Sequence, residues 1–353
     1  MDSLAAFFDH GHRHVRPYAG QVEPAFQQTL RDLHAGVRAE DCHFYHTLVL
    51  GDGTVVPGGW DMRGLERNYL GHVDYRGRSV LEFGPASGYL SFWMEEQGAA
   101  VTVVDLPPDF PPDLVPLPGI DLAQHARNGA ETARQVRNSW WYAHRRRNSN
   151  ARAVYADIYR LPADIGRYEI STFGSILLHL GQPFVALQEA ARVTDRALIV
   201  TDLVPDVLYG TYENSFLEIN PGNEPGNLVN WWRFFPGAMA KMLRILGFPF
   251  QDLHFFPIAY HPEHRPDLPP IQRFMYTLVA QREAGSLPRL EKTPPELELD
   301  REIRAKVPAL SVEQYNEAHR RLHATEVELS QNKAHVQKLT AELQKVYRSV
   351  PWK

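Results

Sequence analysis

The chain has 353 residues, a formal net charge of −5 and 44% hydrophobic residues. That length accommodates one sizeable α/β domain with additions, or two domains, and the acidic balance argues against a surface built as a whole to attract nucleic acid. No stretch approaches the roughly 20 apolar residues of a membrane helix, and the start, MDSLAAFFDHGHRHVRPY, lacks the basic-then-apolar order of a secretory signal, so the sequence predicts a soluble cytoplasmic protein. The single cysteine, Cys42, excludes an intrachain disulfide and, with no Cys partner, argues against a zinc cluster.

Residues 1–75 read as a leading helical and lid segment. EPAFQQTLRDLHAGV carries apolar residues at helical spacing, and HFYHTLVLGDGTVVPGGWDMRG is glycine-rich with an aromatic, His-rich head. From Val80 the pattern becomes short apolar strands, SVLEFG, AVTVVD, ARAVYAD, YEISTFGSILL and ALIVTD, alternating with helical segments. That alternation predicts βαβ units around a parallel sheet over residues 76–282. WWRFFPGAMAKMLRILGF reads as a helix stopped by Gly247, and QRFMYTLVAQR as a late strand.

Residues 283–310 turn polar and proline-bearing, which predicts a linker. Residues 311–353 read as one periodic helix, with Tyr315, Leu322, Leu329, Val336 and Leu343 at heptad position a and Ala318, Thr325, Asn332, Leu339 and Val346 at d. The polar middle predicts a marginal coiled coil that needs a partner, hence a homo-oligomer; the alternative is a helix packed back on the globular domain. Between Ile120 and Arg152 seven arginines face only Asp121 and Glu131, a local excess of +5. It reads either as a solvated helix face or as an anion-binding rim.

The stretch LEFGPASGYLSFWMEEQGAAVTVVDL holds the most specific signal. A strand ends at Glu82 and Phe83, Gly84 and Gly88 bracket a tight turn that opens a helix, and Asp105 ends the next strand 21 residues after Gly84. An acid at that spacing accepts hydrogen bonds from ribose hydroxyls. A dinucleotide fingerprint wants G-x-G-x-x-G aimed at a pyrophosphate; here the spacing is G-x-x-x-G, Ala86 replaces the middle glycine, and the Glu82 carboxylate would repel a pyrophosphate. A ligand with a cationic amino-acid end suits the turn better, and no Gly-Lys-Ser/Thr follows to make a P-loop.

On these residues the chain resembles the class I S-adenosylmethionine-dependent methyltransferases over roughly residues 40–282. The resemblance implies a Rossmann-like, seven-stranded, mostly parallel sheet flanked by helices, with an N-terminal lid and a C-terminal long helix, and S-adenosyl-L-methionine as cofactor. It places Gly84 and Gly88 in the first motif, Glu82 near the methionine end and Asp105 on the ribose, with Leu106 over the adenine. YADIYRLP is similar to the family's adenine-site strand end, which sets Asp157 by the adenine amino group and Ile158 against the ring. YEISTFGSILLHLGQPF is similar to the fourth-strand motif and brings in Gly174, although Glu169 stands for the common Asp and Gln182 precedes Pro183.

Methyl transfer needs the acceptor positioned, water excluded and a proton removed. His179, after the fourth strand, is the candidate base or acceptor-orienting residue, with a cofactor-shielding role as the alternative. The lid offers Trp60 toward the cofactor and His46 and Arg63 toward the substrate. His43 and His46, three apart, lack an acid to complete a metal set. Asp202, ending the fifth strand, faces the site or caps the next loop. Trp141, Arg145 and Trp232 are candidate contacts to a sugar or its attached anion, against a plain core role for the tryptophans.

The acceptor expected first is a hydroxyl of a sugar, glycan or small molecule, because the heptad tail ending in YRSVPWK resembles those of bacterial surface-polysaccharide enzymes. Two alternatives stay open. One is a carboxymethyltransferase of the tRNA wobble uridine, which the acidic balance disfavours; the other is an inactive cofactor-binding scaffold that oligomerises through its coiled coil.

Overall fold

The computed structural model describes residues 20–108, 110–204, 215–219, 228–261, 269–306 and 338. In chain order they form α1 (Pro24–Leu33), the short strands β1 (Leu48–Val49), β2 (Val55–Val56) and β3 (Trp60–Asp61), and α2 (Glu66–Tyr69). Then come β4 (Ser79–Phe83), α3 (Tyr89–Glu96), β5 (Ala100–Asp105), α4 (Leu122–Arg147), β6 (Arg152–Tyr155) and β7 (Tyr168–Gly174). A 3-10 turn (Leu177–His179) leads to α5 (Pro183–Val193), β8 (Thr194–Leu203), β9 (Leu217–Ile219), β10 (Trp232–Phe234), α6 (Pro236–Ile245), β11 (Phe250–Tyr260), β12 (Ile271–Gln281) and α7 (Pro294–Lys306).

The main sheet has the order β3-β11-β12-β8-β7-β4-β5-β6. β6, β5, β4, β7 and β8 pair in parallel, β12 runs against β8 and β11, and β3 runs against β11. This is the expected Rossmann-like, mostly parallel α/β sheet, with one correction: it has eight strands, not seven. The added strand is Trp60–Asp61, which pairs with Tyr260 and Ala259 at the edge. The chain starts at β4 in the middle, moves outward through β5 and β6, then crosses back to β7 and β8. The order therefore reverses beside β4, and in such sheets the crevice at the carboxyl ends of the strands takes the ligand.

Both faces are covered, which is why the parallel strands are nearly all apolar. One core gathers Leu90, Phe92 and Met94 of α3, Trp140, Trp141 and Ala143 of α4, and Leu30 and Leu48 from the N-terminal segment. The other joins Leu187 and Ala190 of α5 to Met239 and Leu243 of α6. The helix α6 ends as expected, with Gly247 at φ +88°, but it begins only at Pro236, because Trp232–Phe234 of the expected helix pair as β10 with β9. The free edge strand β6 is closed by two buried amides: Gln21 and Gln27 each accept from and donate to the backbone of Tyr155 and Ala153 at 2.6–2.9 Å. In effect, two side chains complete the ladder that a neighbouring strand would otherwise extend.

The stretch expected as a linker carries α7. Thr293 donates its N–H to Glu296 at 2.7 Å and Pro294 opens the helix, a local start signal of the Thr-x-x-Glu kind. Asp300 accepts from the Phe255 N–H at 2.8 Å, and Ile303 packs with Phe255 and Tyr276, so the helix seats on the sheet. The heptad positions from Tyr315 to Val346 lie outside the described residues.

Candidate active site

At the reversal point the loops after β4, β5, β6 and β7 enclose a cleft of about 120 Å³. Gly84, Asp105, Leu106, Asp157, Ile158, Ile176, His179 and Leu180 line it, with Pro112 and Asp113 from the loop after β5. Gly84 sits at φ +65°, and a Cβ there would meet the Ile176 side chain at 2.8 Å. Only a bare backbone leaves the floor of the cleft open.

Two carboxylates end neighbouring strands in this cleft. Asp105 Oδ1 accepts the Leu106 N–H at 2.8 Å, and Asp157 Oδ1 accepts the Tyr159 N–H at 2.9 Å. Burial raises the Asp105 pKa, while Arg137 and the Leu106 N–H pull it back. Arg137, buried on α4, also donates to the Leu106 carbonyl at 3.1 Å and lies 5.2 Å over the Tyr155 ring.

His179 is held in the same cleft by its Nδ1–H, which donates to the Val229 carbonyl at 2.8 Å and leaves Nε2 with the lone pair. Burial lowers its pKa, against the Val229 carbonyl and the Asn230 side chain. The loop after β5 is stitched across the mouth by Asp113, which accepts from the Tyr159 hydroxyl and, at 2.9 Å, from the Gly181 N–H. Trp231 donates its indole N–H to the Asp113 carbonyl at 3.3 Å, and Trp232 donates to the Leu180 carbonyl at 2.8 Å.

Of the residues expected from sequence, Gly84, Asp105, Leu106, Asp157, Ile158 and His179 converge here. Glu82 lies at the end of β4, 5% exposed, accepts from Ser91 Oγ, and burial lifts its pKa to about 7. Gly88 caps α3 at φ +86°; a Cβ there would meet Phe92 and Trp140 at 2.6 Å, so packing, not ligand approach, requires the glycine. Gly174 abuts the Tyr69 ring. Trp60 packs on Tyr260 with ring centroids 4.4 Å apart and His46 bridges to it; neither lines this cleft.

Three residues expected at the substrate have partners within the chain. Trp141 is buried in the core, donating to the Tyr155 hydroxyl at 2.7 Å and stacked on His34 at 4.7 Å. Arg145 caps the end of α1 by donating to the carbonyls of His34, Ala35 and Val37. Arg63 pairs with Asp61 two residues away at 2.6 Å. In the arginine-rich stretch, Arg134, Arg146 and Arg147 pair with Glu131, Asp52 and Glu96.

Sequence reading missed Asp113 and Tyr159, and no local pattern marks them. Arg137 could have been found from its helical phase, which it shares with Trp140, Trp141 and His144. Among the described residues no group of His, Cys, Asp or Glu has a metal-binding arrangement. No helix among them is long and apolar enough to cross a membrane.

No family model and no curated protein matches the chain. Among solved structures it is similar to magnesium protoporphyrin IX methyltransferase from Synechocystis PCC 6803 with bound SAH, at 14% identity over 80% of this chain and 95% of that one, TM-score 0.36. It is also similar to 1,6-didemethyltoxoflavin-N1-methyltransferase from Burkholderia thailandensis with bound 1,6-didemethyltoxoflavin and S-adenosylhomocysteine, at 16% identity over 80% and 90%, TM-score 0.36. A third is a putative RNA methyltransferase from Pyrococcus horikoshii, at 12% identity over 72% and 98%, TM-score 0.39. These matches are distant, and it is the chain's own sheet order and cleft residues that bear on function.

Proposed function

We propose that the chain is an S-adenosylmethionine-dependent methyltransferase that acts on a hydroxyl of a sugar, glycan or other small acceptor. The observation that carries this reading is the cleft beside β4, where a bare glycine turn, two strand-end carboxylates and apolar walls meet. These groups fit an adenosine. Asp105 has Oδ2 to offer ribose hydroxyls, Asp157 stands where an exocyclic amine would donate, and Leu106 and Ile158 supply faces for the ring. Glu82, two residues before Gly84, is the acid for a cationic amino-acid end.

The cofactor, when bound, supplies a methyl group already activated on a sulfonium. The chain supplies position and dryness. His179 borders the nucleoside side of the cleft, and its Nδ1 bond to Val229 fixes the ring there. The Asp113, Tyr159 and Trp231 bonds hold the covering loop in place. An uncharged acceptor is the simpler reading because Arg134, Arg145, Arg146 and Arg147 of α4 each have a partner within the chain.

The test is native mass spectrometry of the co-purifying ligand, with calorimetric titration of S-adenosylmethionine and S-adenosylhomocysteine. Wild type should bind both, and Asp105→Ala should weaken both by roughly 10–100-fold, the size of one or two lost hydrogen bonds to a charged group. Binding of neither ligand to the wild type would sink the reading.

A further inference from the structure

With Glu82, Asp202 is one of two buried acids among the described residues. It ends β8 at 4% exposure, its Oδ1 accepts the Leu203 N–H at 2.8 Å, and no cation pairs with it among the described residues. A buried carboxylate without a cation is costly, and a fold does not retain one for stability.

Its surroundings are phenolic. The antiparallel register sets Tyr276 directly opposite Asp202, and the Tyr276 hydroxyl is fully buried with no hydrogen-bond partner. Tyr69 and Tyr45 feel the Asp202 charge from α2 and from the N-terminal segment. The Tyr69 hydroxyl bonds Ser175 Oγ at 3.1 Å in the loop leaving β7, where Ser175 is held at φ 49°. Tyr45 donates its N–H to Ser87 Oγ at 2.7 Å in the glycine turn after β4. The cluster thus ties the loops after β4, β7 and β8 together, across β4 and β7 from Asp105 and Asp157. A strained residue and an unpartnered buried hydroxyl beside a buried acid mark a working site.

We propose that Asp202 is the base of the reaction proposed above and takes the proton of the acceptor's hydroxyl. Asp202 accepts that proton as the acceptor oxygen bonds to the methyl carbon; the electron pair of the broken carbon–sulfur bond stays on sulfur, and the proton passes to water once the product leaves. The inference rests on the methyltransferase reading. Burial lifts the Asp202 pKa to about 7, against the Leu203 N–H, which places it where a base works near neutral pH. Burial also lifts Tyr45, Tyr69 and Tyr276, so the phenols facing it stay neutral through that range.

A carboxylate beside the reacting atoms attracts a sulfonium cation but not the neutral thioether, so it can be detected without knowing the acceptor. The probes are S-adenosylmethionine and S-adenosylhomocysteine, titrated into wild type and Asp202→Asn from about pH 5.5 to 8.5. In the wild type the preference for the cation should rise about tenfold as Asp202 ionises, and this rise should be absent from Asp202→Asn. Glu82 titrates nearby, but it meets the amino-acid end common to both ligands and moves both affinities together. If both proteins bind both ligands with the same preference at every pH, Asp202 is not at the reacting atoms and this inference falls alone. The wild-type series decides even if the variant folds poorly, and binding of neither ligand to the wild type overturns the function and the base with it.

Discussion

The two halves of the crevice are built differently. On the β5 and β6 side, each group stands within a few residues of a strand end: Asp105 and Leu106 after β5, Asp157, Ile158 and Tyr159 after β6. On the β8 side the cluster is assembled from Tyr45, Tyr69, Ser175, Asp202 and Tyr276, which come from five separate elements or loops. The first half is a surface made by local turns, and the second is a core position left polar. That difference governs what substitution does to each.

The largest expected effect tests whether the aromatic residues of α4 belong to either half. Trp141→Ala should destabilise the chain by about 3–5 kcal/mol, the cost of emptying a buried indole site, and should not selectively weaken cofactor binding. A calorimetrically intact fold with altered acceptor use would return Trp141 to the substrate set.

A second expectation separates the buried acid from its surroundings by pH. The folded-state pKa of Asp202 is raised, so between about pH 4 and 7 the folded chain holds a proton that the unfolded chain has released. Stability conferred by that proton is lost as pH rises through the window. The stability advantage of Asp202→Asn over wild type should therefore grow by roughly 1–3 kcal/mol between pH 5 and pH 8 in ligand-free denaturation experiments. An increment that does not grow with pH would show the carboxyl to be solvated. Comparing variants at each pH is needed because His72, His144 and His254, all lowered by burial, lose stability in the opposite direction as pH falls.

The smallest effect concerns the glycine turn of the first half. Ala86 sits at φ 47°, a left-handed conformation in which Cβ is crowded. Ala86→Gly should raise stability by about 0.5–1 kcal/mol in denaturant titration, the relief of the crowded Cβ outweighing the added freedom of the unfolded chain.

The contrast also explains how much could be read from the sequence. The sheet and the nucleoside half were legible because glycine turns and strand-end acids are local in the chain. The surroundings of Trp141 and Arg145 were not legible because residue type alone does not give helical phase: Trp141 turns inward with Trp140 and His144, while Arg145 reaches the carbonyls that end α1. The eighth strand was missed because Trp60–Asp61 is two residues long and gains its identity only from Tyr260 and Ala259, about 200 residues on. The helix α7 was legible in Thr293, Pro294 and Glu296, but the surrounding prolines read as a linker.

The paired amides of Gln21 and Gln27 bear on how the molecule behaves in a crowd. Strand β6 would otherwise offer the outward N–H and C=O of Ala153 and Tyr155 to any extended segment, including β6 of another copy. Because each glutamine answers both groups of one residue, that edge has no open register on which intermolecular sheet growth could nucleate. Polar residues in the core here serve colloidal behaviour, and self-association, where it occurs, has to use another surface.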